Sequence, residues 1–393
     1  MLKSDSENHK VRFIHASDIH LGTGQYQNPA RSDDFIKILK GIIDLAISKK
    51  VSFILLGGDV FGSLDLLPEQ LSRIVKILKD FKEKTQDSIN IIAIEGNHDI
   101  RKYSRGSRII RRQSWLRFLQ ELDLLVLLDV NPEARSENLF QNYDYQTKKG
   151  GKIRIGNVVI YGTSYLGRRT EELLPKIRSG INQTDGCFHI LLQHFGIKGQ
   201  MKNVPGMPLY KVQPLKDCIH YLALGHYHLQ FKIGGWIFNP GSGEAVSSVE
   251  SNYKRGIFLG EITEKNEVSD NRLKFSVDVK NVSLKNRDHM WVTIYFPEVF
   301  QMEHEIISFI TEKLTSKFSN DNKIKKLTQS QKPILYLVLR GNKPLFSENL
   351  DVNILKETIL NQFPVVSMRI YEKYVENTRT LETFIPIKKM VKI

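Results

Sequence analysis

A chain of 393 residues with 41% hydrophobic and 25% charged side chains has the make-up of a globular protein, and it is too long for one ordinary core, so two domains are expected. Its 57 Lys and Arg against 43 Asp and Glu give a formal net charge of +14, which points to polyanionic partners such as nucleic acid. No run of about 18 apolar residues is there to span a membrane. The polar opening MLKSDSENHK lacks a signal peptide's apolar stretch, and Cys187 and Cys218 fit neither a disulfide framework nor a zinc pattern, so the reading is a cytoplasmic protein with two buried thiols.

VRFIHASDIH (11–20) reads as a buried strand that runs out into polar residues, and DDFIKILKGIIDLAISKK (33–50) has helical periodicity. VSFILLGGD (51–59) is a second strand, LPEQLSRIVKILKDFKEK (67–84) a helix with Pro68 in its first turn, and INIIAIEGNHD (89–99) a third strand. Strand–helix–strand–helix–strand is the signature of a largely parallel, helix-covered sheet, and such sheets bind ligands beyond the carboxyl ends of their strands. Further on, SWLRFLQELDLL (114–125) reads as helix and GKIRIGNVVIYGTSY (151–165) as two strands about a Gly156-Asn157 turn. TEELLPKIRSGI (170–181) is predicted to be a helix broken near Pro175. CFHILLQHFG (187–196), CIHYLALGHYH (218–228), WIFNPGS (236–242) and RGIFLGEI (255–262) add strands, so the predicted core is a sandwich of sheets with helices outside. Past NVSLKNRD (281–288), strands and helices alternate from HMWVTIYF to VVSMRIYEKY as a small α+β domain. The expected division is a flexible N-terminus (1–10), a catalytic domain (11–285), the smaller domain (286–377) and a tail (378–393).

Apolar strand after apolar strand stops at a residue that can hold a metal. The first ends in Asp18 and His20, the second in Asp59, the third in Asn97, His98 and Asp99, a later one in His194, and the last in His226 and His228. Residues two apart on an extended chain point to the same side, so D-x-H and H-x-H each aim a pair of donors at one place. Any one of these pieces alone has a blander reading as a cap or a turn; their recurrence in series at strand ends carries the functional one. Mixed imidazole and carboxylate donors suit Mn²⁺, Fe²⁺ or Zn²⁺ better than Mg²⁺ or Ca²⁺. Seven ligand candidates (Asp18, His20, Asp59, Asn97, His194, His226 and His228) are too many for one ion with open positions. They suit two ions about 3.5–4 Å apart sharing a carboxylate, a pair that activates water and stabilises the attacking and leaving oxygens of a displacement at phosphorus. Asp59, after two glycines on a central strand, is the natural bridge.

The series D-x-H, G-D, G-N-H-D, a lone His after an apolar strand, and G-H-x-H resembles the pattern of the calcineurin-like metallophosphoesterase superfamily. HASDIHLG (15–22), SWLRFLQELDLLVLLD (114–129) and ALGHYHLQ…WIFNPGS (223–242) resemble its DNA-repair nucleases of the SbcD type. The resemblance is strong over roughly 11–265 and weaker beyond. It implies a four-layer α-β-β-α sandwich with a smaller capping domain over 286–377 that grips DNA. It also implies a nuclease, exonuclease or single-strand endonuclease, that processes DNA ends in double-strand-break repair with two divalent ions, Mn²⁺ foremost. Asp18, His20 and His228 would then hold one ion, and Asn97, His194 and His226 the other, with Asp59 between them. His98 would be the catalytic histidine, and Asp99 a support for the GNHD turn. A homodimer and an SbcC-like ABC-type ATPase are the implied partners. Two departures stand out: Gly62 occupies a position where the family often carries a histidine, and only TRTLETFIPIKKMVKI (378–393) follows the last strand, short for an ATPase-docking pair of helices.

IRKYSRGSRIIRRQSW (100–115) brings Arg101, Lys102, Arg105, Arg108, Arg111 and Arg112 directly after His98, where phosphate neutralisation would add affinity without reading sequence. Rival readings are a phosphatase or small phosphodiesterase using the same metals, against which the basic balance speaks, and a DNA-end-binding scaffold with a vestigial nuclease, whose mark would be lost ligands.

Overall fold

The structure, a computed structural model, describes residues 10–100, 113–181, 186–265, 275–297, 300, 302–319, 327–328, 331–343 and 351–375. It divides into two compact units, 1–286 and 287–393.

The first unit begins with β1 (Lys10–Ala16), α1 (Pro29–Lys49), β2 (Phe53–Leu56), α2 (Pro68–Thr85), β3 (Asn90–Ala93), α3 (Trp115–Glu121) and β4 (Val126–Leu127). It continues through β5 (Lys152–Ile155), β6 (Val158–Gly162), α4 (Arg169–Gly180), β7 (Phe188–His194), α5 (Leu209–Val212), β8 (Tyr221–Gly225), β9 (Phe231–Ile233), β10 (Ile237–Asn239), β11 (Ile257–Glu264) and β12 (Phe275–Val282). The helices start where the local chemistry says they should. Asn28 accepts the Ala30 N–H ahead of Pro29, and Ser114 accepts the Arg117 N–H to open α3. Along α2, Ile74, Leu78 and Phe81 form one buried stripe.

Two six-stranded sheets result, ordered β12-β11-β1-β2-β3-β4 and β5-β6-β7-β8-β10-β9. In the first, β1, β2, β3 and β4 are parallel and β11 runs antiparallel beside β1. In the second, β6, β7, β8 and β10 are parallel. Between the sheets lies a core of Phe13, Phe53, Ile92, Phe188, Ile190, Tyr221 and their neighbours. Phe13 stacks on Phe53 at 5.4 Å and meets Tyr221 edge-on at 5.2 Å. The first sheet's outer face packs on α1, α2 and α3, and the second's on α4 and the 209–219 segment. The architecture is therefore the four-layer α-β-β-α sandwich. Cys187 and Cys218 are both buried.

α4 corrects one expectation: it runs unbroken through Pro175. Pro175 lies close enough to the helix start that its missing N–H frees little more than one first-turn carbonyl, and buried Leu173, Leu174 and Ile177 hold the segment on the sheet.

The second unit is β13 (His289–Phe296), α6 (Glu303–Ser319), β14 (Ile334–Asn342), α7 (Val352–Gln362) and β15 (Ser367–Val375). Its three strands are all parallel and lie in chain order. Right-handed crossovers in a constant direction put both helices on one face. There Ile306, Ile310, Leu314, Leu355 and Ile359 close over Val292, Ile294, Leu335, Leu337 and Leu339.

Candidate metal centre

The carboxyl ends of β1, β2, β3, β7 and β8 converge on one place. The loops after β1 and β2 are zipped together by backbone bonds: Asp18 N–H to Gly58 O (3.0 Å), His20 N–H to Asp59 O (3.1 Å) and Leu21 N–H to Val60 O (2.8 Å). The chain turns sharply at the functional residues themselves. Asp18 (φ 52°), His20 (φ 54°), Asp59 (φ 49°) and His226 (φ 86°) all lie in the left-handed region. Such conformations in non-glycine residues cluster at sites where surrounding structure over-determines them. Two glycines beside these turns are fixed by crowding. A Cβ at Gly58 would sit 2.5 Å from His194 Nδ1, and one at Gly96 would sit 2.2 Å from Asp59 Oδ1, so both make room for ligand side chains.

Two groups of donors form, each with its ligand atoms within 4.8 Å of one another: Asp18, His20 and His228, and Asp59, His194 and His226. In the first, His20 Nε2 and His228 Nε2 face each other at 3.0 Å, and His228 Nε2 is 3.8 Å from Asp18 Oδ1. In the second, His194 Nε2 lies 3.3 Å from Asp59 Oδ2 and 3.2 Å from Asn97 Oδ1, and His226 Nδ1 is 2.8 Å from the same Asn97 oxygen. The seven side chains predicted as ligands are thus brought together, Asn97 joining the second group. Facing imidazole nitrogens backed by carboxylates make a donor set that fits divalent transition-metal ions.

Two of the remaining ring nitrogens are tied down. His194 Nδ1 lies 2.7 Å from Gly57 O and donates to it, which leaves Nε2 free to ligate. His228 Nδ1 sits 3.1 Å from the Glu250 carboxylate, which also accepts the Val246 N–H and the Ser247 hydroxyl. Asp18 accepts the His226 N–H through both oxygens, at 3.0 and 3.1 Å.

Without cations, protons and charges arrange themselves around the same groups. Burial and the neighbouring His228 push His20 well down. Burial and His194 lower His226 to about 4. Burial opposes the charge on His194, but the Asp59 carboxylate outweighs it and holds the ring up at about 9. Burial is likewise overcome at Asp59, which His194 and His20 hold below the usual carboxylate range. Burial raises Asp18, and burial with the adjacent Asp59 raises Asp99 to about 7.

His98 is exposed, donates its backbone N–H to Asp59 Oδ1 (2.7 Å), and sets its ring edge-on to His20 at 5.1 Å. It stands beside the donor groups without belonging to either. Asp99 is buried and accepts the N–H groups of Val60 (3.3 Å), Phe61 (2.8 Å) and Gly96 (2.8 Å), so it ties the GNHD turn to the loop after β2. At Gly62 a Cβ would fall 2.1 Å from Thr23 Oγ1 and 3.2 Å from His20 O, so a threonine fills the space a larger side chain would need. Trp115 is partly buried and donates its Nε1–H to Leu64 O (3.1 Å). Arg101, Lys102, Arg105, Arg108, Arg111 and Arg112 lie outside the described residues.

Two residues escape sequence reasoning. Glu250 sits in a single 3₁₀ turn (Ser248–Asn252), where no apolar run or spacing marks it. Tyr165 lines the second group, stacked along His226 (6.0 Å) and edge-on to His194 (5.9 Å). It follows an apolar strand as the ligands do, but a tyrosine there carries no ligand signature.

A two-sheet sandwich whose strand ends gather paired imidazole and carboxylate groups is the framework of a metallophosphoesterase; residues 11–230 match the calcineurin-like phosphoesterase family, to which the chain belongs, and divalent metal ions are accordingly its cofactors. Among curated proteins it is similar to several named DNA double-strand break repair protein Mre11. That of Sulfurisphaera tokodaii is 26% identical over 336 residues, 84% of this chain and 74% of the relative. That of Saccharolobus solfataricus is 25% identical over 355 residues, 87% and 80%. The Archaeoglobus fulgidus protein is 30% identical over 224 residues, 56% and 46%. These matches agree with the resemblance to SbcD-type nucleases drawn from the motifs. Among the described residues, no helix is long and apolar enough to cross a membrane.

Proposed function

We propose that the chain is a two-metal DNA nuclease that processes DNA ends in double-strand-break repair, acting as an exonuclease or a single-strand endonuclease. The observation that carries this reading is the gathering of Asp18, His20 and His228 beside Asp59, His194 and His226 in a chain similar over most of its length to proteins named for double-strand break repair. Two divalent ions, Mn²⁺ foremost, would supply Lewis acidity and an activated water. Asp18, His20 and His228 would hold one ion and Asn97, His194 and His226 the other, with Asp59 between them. His98, exposed beside His20, polarises the phosphate or protonates the leaving oxygen. The cationic run from Arg101 to Arg112 follows His98 in the chain and neutralises backbone phosphates, while the 286–377 domain caps the substrate. A second copy of the chain and an SbcC-like ATPase complete the proposed assembly, in the cytoplasm.

The test is hydrolysis by purified protein with Mn²⁺ of labelled single-stranded, duplex and hairpin DNA beside p-nitrophenyl phosphate esters. A nuclease cuts DNA at protein concentrations where small esters are poor substrates. Turnover of the esters with intact DNA would replace this reading with a phosphatase or small phosphodiesterase.

A further inference from the structure

The GNHD turn is held at both ends by buried carboxylates with different neighbours. Asp99 ties it to the loop after β2. Glu95, two residues past β3 and 2% exposed, ties it to two other segments. Its Oε1 accepts the hydroxyl of Ser114, the residue that caps α3, at 2.5 Å. Its Oε2 accepts an Arg117 Nη2–H at 2.6 Å and the Ser164 hydroxyl at 3.2 Å. Its backbone oxygen accepts the Tyr165 N–H at 2.8 Å.

These bonds close into a ring. Arg117 Nη2 also reaches Asp129 Oδ2 (3.2 Å) after β4, and Asp129 Oδ1 accepts the Ser164 N–H (3.4 Å) after β6. Glu95, Arg117, Asp129 and Ser164 thus hold one another, and none can shift alone. A buried ion pair adds little net stability over apolar side chains of the same volume. What the ring does is locate. Asn97 stands two residues beyond Glu95, with its Oδ1 2.8 Å from His226 Nδ1 and 3.2 Å from His194 Nε2. Tyr165 stands one residue beyond Ser164, with its ring against the same two histidines. Both routes out of the ring lead to the second donor group. Asp18, His20 and His228 are carried instead by the chain after β1 and β8.

We propose that Glu95 is a positioning residue for the second ion, fixing where Asn97 and Tyr165 stand relative to His194 and His226. The inference rests on the reading in which Asn97, His194 and His226 hold one ion, and deepens it by naming what aims the carboxamide. A neutral carboxamide attracts a cation only through its dipole, so its contribution falls away once the oxygen is turned aside.

The experiment uses the full chain. Mn²⁺ is titrated calorimetrically into Glu95→Gln, Asn97→Ala, the double variant and the unaltered protein, beside thermal unfolding without metal. Glutamine keeps the shape of Glu95 and removes the charge that Arg117 meets. Glu95→Gln should weaken one site about 10-fold or more, the scale on which groups behind a ligand act, and leave the other within about threefold. Asn97→Ala should weaken one site as well. Adding Glu95→Gln to it should cost less than about threefold more and spare the other site, because a residue acting through another is not additive with it. A purely structural role would weaken both sites or multiply the two losses, and either result overturns the proposal, as does unaltered affinity in Glu95→Gln. Should Glu95→Gln fail to fold, Ser164→Ala takes its place, removing one donor from the carboxylate and keeping the charge. It should weaken one site alone, and two unaltered sites overturn the proposal. An Asn97→Ala variant that binds two ions like the unaltered protein removes Asn97 from the ligands, and the proposal falls with that reading.

Discussion

Replacing Glu250 by Gln separates the two donor groups. The Glu250 carboxylate faces His228 Nδ1 at 3.1 Å, and its side chain is only 11% exposed. Glutamine keeps the shape but removes the charge that holds the imidazole N–H and strengthens Nε2 as a donor. A hydrogen bond to a charged group contributes about 1.5–3 kcal/mol. Loss of such a partner behind a metal-bound histidine typically costs 10–100-fold in metal affinity, about 1.4–2.7 kcal/mol, so the two scales agree. His194 provides an internal control, because its Nδ1 is tied to a backbone carbonyl, Gly57 O, which no change at position 250 touches. Calorimetric titration of Mn²⁺ into the variant should show one site weakened 10–100-fold and the other within about threefold of its original affinity. Glu250→Ala should be worse, since it also strands the Val246 N–H and the Ser247 hydroxyl. Unchanged affinity at both sites, or equal weakening at both, would refute the reasoning.

Asp59→Asn should abolish turnover and weaken both ions, as the shared carboxylate disappears; two ions retained at unaltered affinity would rule out the bridge. His98→Ala should keep both metals and DNA binding while turnover falls by about 10²–10⁴, and loss of a metal from that variant would make His98 a ligand. His194 has a raised pKa, about 9, so in the metal-free chain its ring stays protonated at neutral pH and must lose that proton before Nε2 can ligate. Mn²⁺ uptake near neutral pH should therefore release protons, and affinity should climb with pH until about 9. Identical apparent binding enthalpies in buffers of different ionisation enthalpy would contradict this.

The donor residues are legible because a parallel sheet writes its site in a form one sequence can carry. An apolar run such as FILL ends, and the residue after the turn, Asp59, is displayed at the sheet's carboxyl edge. The same logic exposes His194 at the end of β7 and His226 just past β8. Glu250 is invisible for the complementary reason: it reaches His228 from a 3₁₀ turn whose position depends on tertiary folding. The short strands β4 and β9 go unmarked, since two or three residues display no period. β12 is hidden because it is an edge strand whose burial pattern alternates weakly. At Pro175 a local rule lost to packing. The pairing of two sheets, by contrast, follows from the number of apolar strands, too many for a single helix-covered layer.

The left-handed backbone at Asp18, His20, Asp59 and His226 has a consequence for how such a centre persists through descent. A sandwich of this kind does not need those conformations in order to pack. Glycine adopts them freely, whereas another residue held there costs about 1–3 kcal/mol. A lineage that ceased to use the chemistry would therefore gain stability by letting ligands drift one at a time to glycine, and asparagine would serve nearly as well at the aspartates. Disuse and thermodynamics would push the same way, and erosion would be quick. At these four positions, then, keeping the ligand and relaxing the backbone pull in opposite directions.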